Sequence, residues 1–531
     1  MAVSTLYRNG RITTLDRAAP EVPAMAVRNG VVVHIGSEDG ARAALSGEEI
    51  RVRDLRGRRV LPGFIDAHAH LALFSIEQAN LALKPLPSLS AILETVREAS
   101  LRAPAGSWIR GSGYNHLTLP EHRHPTRVDL DAASPRHPVV LTRTCGHIAA
   151  VNTEALRRAQ ISLRAPDPPG GRFDRNPDGT VNGVLYDQAL GAVQAASAPG
   201  QADLIDWMDR GSRLWAQAGI TAFHDAGGPP GYFGALGRAY ADGRILQRVD
   251  AMVWNGLGVN QLDEFLRADI GTGFHRDRFH IGAAKIMLDG SSSGPTAATR
   301  EPYQIDPSFS GILYHEADAV RELMTRAASR GFQLTAHAVG DRAVELAART
   351  IAAAGVRERR NRIEHAAMCP PDLTDLIAAA GITPVAQPSF LYEFGDGYLE
   401  SYGEDRGAGM FPLRSWLEAG LRVAGSSDSP VSDHRPLAGI AGAMSRMTRG
   451  GRVLAPSERI GFQEALRLYT ENPAWLAMAE HSLGRLRVGS RANLVALADD
   501  VTAMDSADDI RQCPVVLTVI DDAVVHGDES R

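Results

Sequence analysis

The chain has 531 residues, 44% of them hydrophobic and 22% charged, which excludes a mostly disordered protein. Its 56 Lys+Arg against 62 Asp+Glu give a formal net charge of −6, so there is no electrostatic footprint for nucleic acid. No apolar run approaches the roughly 18–20 residues that cross a bilayer, and no leader pattern opens the chain; the expectation is a soluble, cytoplasmic protein.

In chain order, residues 4–14, 25–35 and 50–55 read as short strands separated by Asn9-Gly10, Asn29-Gly30 and Gly-rich turns. Residues 493–497 and 515–520 repeat that character near the other end. The economical reading is one small β-sandwich built from both termini, residues 1–58 plus 484–531. Between them the pattern alternates. Apolar strand-like runs occur at 60–66, 220–224, 248–253, 280–288, 333–338, 362–365, 382–387 and 422–426, with helix-like stretches such as 317–330 and 341–354 between them. Eight alternating strands over 59–483 fit an α/β fold, a (β/α)8 TIM barrel, with a doubly wound sheet as the alternative. The gap after the first run is too long for one crossover and reads as an insertion around 72–215, with a strand at 139–144.

The residues that carry chemistry stand at the ends of those runs. His68 and His70 are two apart after the first strand, so both side chains point to one side and can converge on one ion. Lys285 lies in an otherwise uncharged strand. A buried unpaired ammonium is costly, and a neutral lysine amine can take up CO2 as an anionic carbamate; the competing reading pairs Lys285 with Asp289. Only Lys84 and Lys285 among the 56 basic residues are lysines, and arginine cannot replace amine chemistry. His337, His365 and Asp428 follow later strands, where catalytic groups of a barrel sit. Imidazole nitrogens and carboxylate oxygens suit zinc and similar divalent ions. Cys145, Cys369 and Cys513 are too scattered for a thiolate site. A competing motif is Gly290-Ser-Ser-Ser-Gly294, a G-x-S-x-G match that offers Ser292 as a nucleophile. The stretch after it is a poor helix, which argues against an elbow.

The chain resembles the amidohydrolase superfamily, within the amidohydrolase family 3 group that includes N-substituted formamide deformylases. The resemblance rests on LPGFIDAHAHL (61–71), GITAFHDAG (219–227), KIMLDGSSSGPTA (285–297), TAHAVGDRA (335–343), RIEHA (362–366) and AGSSDSPV (424–431). It implies that His68 and His70 hold one metal, that carboxylated Lys285 bridges, that His337 and His365 hold a second, and that Asp428 touches metal and water. Zn2+ is the ion expected, as one or two ions, with Mn2+ or Fe2+ as substitutes. Many relatives read Gly-Trp-Asp where this chain has Gly113-Tyr114-Asn115, a departure that bears on substrate choice.

The expected activity is hydrolysis of a non-peptide C–N bond of a small molecule, an amide or N-substituted formamide, by water that the metal activates. Asp428 is the expected proton shuttle, with His365 or His147 stabilising the oxyanion. Tyr114, Asn115, Trp254, Phe390, Tyr392 and Trp416 are the expected substrate-binding residues. The same site could serve deamination, decarboxylation or isomerisation, and a binding protein is the non-enzymatic alternative. Neither nucleic acid nor membrane is an expected partner, and a homodimer is the assembly carried forward.

Overall fold

The computed structural model describes residues 4–84, 86–116, 119–144, 148–168, 171–229, 231–256, 259–276 and 278–527. The chain forms two compact units, Met1–Ala72 with Met208–Arg531, and Leu73–Trp207.

In the first unit eight parallel strands follow one another around a barrel: β1 (Phe64–Ala69), β2 (Ile220–Asp225), β3 (Arg248–Gly256), β4 (Phe279–Met287), β5 (Leu334–Ala338), β6 (Arg362–His365), β7 (Thr383–Ala386) and β8 (Ala424–Gly425). Backbone hydrogen bonds from Asp428 N to His68 O and from His70 N to Ser429 O join the last strand to the first. The strands are buried on both faces, as a parallel sheet under a helical ring requires. Helices return the chain between later strands. Asp341–Ala354, for example, buries Val344, Ala347, Ala348 and Ile351, spaced three and four apart on one face.

The same unit carries two further sheets made from both ends of the chain. One pairs Ser4–Arg8 with Ala24–Arg28 and Ile50–Asp54, and adds Val31–Gly36 at its edge. The other has six strands and joins Leu494–Leu497, Val515–Ile520 and Ala523–His526 to Arg59–Pro62, Arg11–Thr13 and Glu21–Val22. Tyr7, Met25, Val60, Leu494 and Val519 pack into one core between them. Asp522 accepts hydrogen bonds from Thr5 Oγ1 at 2.7 Å and Tyr7 Oη at 2.6 Å, tying the two chain ends together.

Two sequence readings change. The run at 4–14 is two strands in different sheets, because Asn9 takes a left-handed backbone (φ 53°) and turns the chain. The run at 60–66 is also split: Arg59–Pro62 belongs to the terminal sheet and the barrel strand starts at Phe64. Gly63 lies between them, where an added Cβ would sit 2.4 Å from the Thr221 side chain.

The second unit holds a six-stranded sheet in the order Gly171–Arg175, Val181–Asp187, Ile148–Val151, Val139–Arg143, Ile109–Tyr114, Leu81–Ala82. Leu83, Ile92, Val96, Leu130 and Leu141 form its core with Tyr114. Among the described residues no helix is long and apolar enough to cross a membrane.

Candidate metal centre

At the C-terminal ends of β1, β4, β5, β6 and β8 six titratable groups converge. His68 Nε2 lies 3.0 Å from Lys285 Nζ and 3.3 Å from Asp428 Oδ1, and His70 Nε2 lies 3.3 Å from the same oxygen. The His68 ring centroid is 5.4 Å from that of His70 and 5.0 Å from that of His365, which is 4.5 Å from His337. Among the described residues, His68, His70 and Asp428 each offer a ligand atom within 4.8 Å of the others. The backbone is unusual here: His365 (φ 71°) and Asp428 (φ 53°) adopt the left-handed region. Non-glycine residues held there are strained, and such strain gathers at functional sites. In a regular strand His365 would face away from its neighbour Glu364; the turn at His365 breaks that alternation.

Each imidazole has one nitrogen committed to an oxygen. His68 Nδ1 is 2.5 Å from Glu364 Oε2, and His70 Nδ1 is 2.7 Å from Gly227 O. His365 Nδ1 is 2.7 Å from Gln387 Oε1. That amide is oriented by its own donors, because Gln387 Nε2 donates to Val385 O and Ser426 Oγ. His337 is held at its other nitrogen, with Nε2 3.0 Å from Gly290 O. A carbonyl can only accept, so these bonds fix the tautomers. His70 and His365 present Nε2 lone pairs, and His337 presents Nδ1. Gly227 has a positive φ of 117°, and a Cβ there would lie 2.5 Å from the Trp254 ring; only glycine lets its carbonyl reach His70.

Burial sets the charge states. It drives His68 and His337 well below the ordinary imidazole range and lowers His365, so all three are neutral imidazoles at pH 7. Burial also brings the Lys285 amine down to about 8. For Asp428 burial acts upward, but the surrounding imidazoles of His68, His70 and His365 outweigh it, and the carboxyl stays ionised. Asp289 does not pair with Lys285. It accepts backbone N–H bonds from Ala298, Val339 and Gly340, with burial pushing it up to about 7.

Of the expected substrate-binding residues, Trp254 and Phe390 lie beside the imidazoles. The Trp254 ring centroid is 6.3 Å from His70, and Phe390 lies 6.4 Å from His365 and nearly parallel to it. Tyr392 instead lies under the Arg511 guanidinium at 3.6 Å and lines a separate cavity of about 310 Å3 with Glu393, Asp433 and Arg435. Trp416, expected with them, is wholly buried in the barrel's hydrophobic core, a packing position. Tyr114 and Asn115 belong to the second unit, where Tyr114 Oη meets His124 Nδ1 at 3.0 Å and Asn115 Oδ1 accepts from Arg143. His147 lies outside the described residues. Ser292 Oγ pairs with Tyr398 Oη at 3.0 Å, not with an imidazole, so no serine–histidine arrangement supports the nucleophile reading.

The sequence reading missed the layer beneath. Arg362, Glu364, Thr335 and His224 form a buried network inside the barrel. Its signal was legible: Arg362 and Glu364 alternate in a strand that is buried along its length. Asp66 was missed as well. It takes Ser427 N and Oγ and His68 N, clamping β1 to the loop that carries Asp428.

Residues 51–526 match the amidohydrolase family. The chain is similar to YtcJ of Bacillus subtilis, 29% identical with 99% of both chains covered. It is similar to the N-substituted formamide deformylase of Arthrobacter pascens, 30% identical with 97% of this chain and 96% of the relative covered. Among solved structures it is similar to an uncharacterized metal-dependent hydrolase of Pyrococcus furiosus, at a TM-score of 0.78 and 28% identity, covering 94% of this chain and 100% of the other. The chain belongs to the amidohydrolase family, and it is a metal-dependent hydrolase of carbon–nitrogen bonds other than peptide bonds.

Proposed function

We propose that His68, His70, Lys285, His337, His365 and Asp428 form a centre for two Zn2+ ions, and that the enzyme hydrolyses an N-substituted amide or formamide of a small molecule. The observation that carries this reading is the convergence of four imidazoles, an ionised carboxylate and a lysine whose amine burial brings down to about 8. The donor set fits divalent zinc: neutral nitrogens and a carboxylate oxygen, no thiolate, and each imidazole already hydrogen-bonded at its far nitrogen. His68, His70 and Asp428 would hold one ion, and His337 and His365 the other. Lys285 would join them as a carbamate: its neutral nitrogen forms a bond to the carbon of CO2 and releases a proton. When bound, the ions supply Lewis acidity toward the carbonyl oxygen and lower the pKa of water.

The chain's own groups do the rest. Asp428 takes the proton of the attacking water at its carboxylate and hands it to the departing nitrogen, base and then acid. His147 is the candidate donor to the developing oxyanion, because His365 gives its Nδ1 proton to Gln387 and would hold the ion through Nε2. Trp254 and Phe390 form apolar walls for the substituent. The enzyme is proposed to be a cytoplasmic homodimer. The resemblance in sequence to a formamide deformylase supports the substrate class.

The test is elemental mass spectrometry on protein prepared without a metal-affinity column, followed by assay of formamides, N-acyl amino acids and cyclic amides. Two zinc ions per chain and turnover of a formamide are expected. A chain that takes up no divalent ion, even with added zinc and bicarbonate, would refute the centre. Turnover of aminated heterocycles alone would refute the substrate class.

A further inference from the structure

The polar layer beneath the six groups is the least expected feature of the barrel. Arg362 is fully buried, yet each of its three side-chain nitrogens has a partner, on its own strand β6 and on β1 and β2. Nε reaches Glu364 Oε1 at 2.5 Å, and Nη2 reaches Glu364 Oε2 at 3.0 Å and Ala67 O at 2.5 Å. Nη1 lies 2.9 Å from His224 Nδ1. Thr335 Oγ1 donates to Glu364 Oε1 at 2.6 Å. The Glu364 carboxylate thus has Oε1 held by Arg362 and Thr335, and Oε2 shared between Arg362 and His68 Nδ1, the latter at 2.5 Å. A buried bidentate Arg–Glu pair is seldom a source of net stability, since desolvation offsets most of the attraction. It fixes geometry well, because the fork of the guanidinium matches the carboxylate in one plane.

What it fixes is the His68 ring. Glu364 accepts a hydrogen bond from Nδ1–H on one edge. On the opposite edge Lys285 Nζ lies 3.0 Å from Nε2, and the lysine also donates to Ala226 O. A carboxylate acceptor and an amine donor on opposite edges select the same tautomer, with hydrogen on Nδ1 and the lone pair on Nε2. The partner on the far nitrogen of a ligating histidine sets its orientation and basicity.

We propose that Glu364, clamped by Arg362, is the positioning residue for His68: it holds the imidazole in the tautomer and orientation that a metal requires, so that metal affinity is set from the layer below. This rests on the metal-centre reading, since it assigns the support of one of that centre's ligands.

The experiment is competition for Zn2+ against a chromophoric chelator, with metal-free wild type, Glu364→Gln and the double variant Arg362→Gln/Glu364→Gln. The double variant removes both charges of the pair together. Affinity is expected to fall about 10–100-fold in both variants, with circular dichroism close to wild type in both and the melting of the metal-free protein close to wild type in the double variant, since Glu364→Gln alone leaves the buried Arg362 charge without its counter-ion. A variant that folds like wild type and binds zinc as tightly would overturn the proposal. A wild-type chain that takes up no zinc would instead overturn the metal centre itself. If both variants misfold, the unsubstituted chain decides. In 15N-histidine-labelled, metal-free protein, the resonance missing from His68→Asn is expected as the Nδ1–H tautomer. An Nε2–H tautomer there would refute the assignment.

Discussion

Two groups of histidines in this chain show how hydrogen bonding decides what an imidazole can do. In the barrel, Nδ1 of His68, His70 and His365 each meets an oxygen, of Glu364, Gly227 and Gln387. These nitrogens donate, and each Nε2 keeps a lone pair, which for His68 lies beside Lys285 and Asp428 and for His70 beside Asp428. In the second unit, His116 and His124 stack with centroids 3.8 Å apart. There His116 Nδ1 accepts from Arg143 Nε, a group that can only donate, which puts the His116 proton on Nε2. The first arrangement leaves lone pairs that can hold a metal; the second makes a hydrogen-bond donor beside a guanidinium that repels cations. Counting histidines cannot separate the two, whereas naming the partner of each nitrogen can.

The largest effect that sharpens this contrast is on Asp428. Asp428→Asn removes the proton acceptor and keeps the shape. We expect kcat to fall by roughly 10²–10⁴, or about 3–5 kcal/mol of barrel-site transition-state stabilisation, with zinc content nearly unchanged. Near wild-type kcat would remove Asp428 from proton transfer. Next is Lys285→Ala, for which elemental analysis should show loss of one ion per chain and partial recovery with a short carboxylic acid. Full stoichiometry without the lysine would end its bridging role. Smaller again is simple metal removal. Zinc at about 100 times its Kd adds roughly 2.7 kcal/mol to the stability of the folded form. Calorimetry with and without chelator should show that loss, and coincident transitions would contradict binding at the buried centre.

Much of this was legible before any coordinates. The period-two spacing of His68 and His70, and the placement of Lys285, His337, His365 and Asp428 in or just after apolar runs, picked out six groups that the fold brings together, because strand ends leave local marks in the sequence. The boundaries were less legible. One run covered two strands in different sheets at 4–14 and again at 60–66, since apolar alternation says nothing about which neighbour a strand pairs with. Trp416 shows the same limit: its type suits a pocket wall, but only packing reveals that it lies in the core. Arg362 and Glu364 were visible as charges in a buried strand. Their role needed the partner His68, almost 300 positions away in sequence, which no local pattern encodes.

The smallest effect is the one that tests the second histidine group. Burial first, then the neighbouring His116 and Arg143, push the His124 pKa down to about 4, with Asp174 acting weakly the other way. An unfolded histidine titrates near 6.5. Between about pH 6.5 and 4 the unfolded chain therefore binds more protons at this position than the folded one, and stability falls as pH falls. Tyr114 Oη at 3.0 Å and Arg143 on the stacked partner offer an imidazolium no anion. Replacing His124 with Asn removes this titration. Melts of the full chain should lose less on acidification from pH 6.5 to 4 in His124→Asn than in wild type, while the two proteins hold the same zinc per chain. Parallel pH curves would mean that His124 titrates normally when folded. A changed zinc content would mean that this pair, despite its donors, belongs with the ligands.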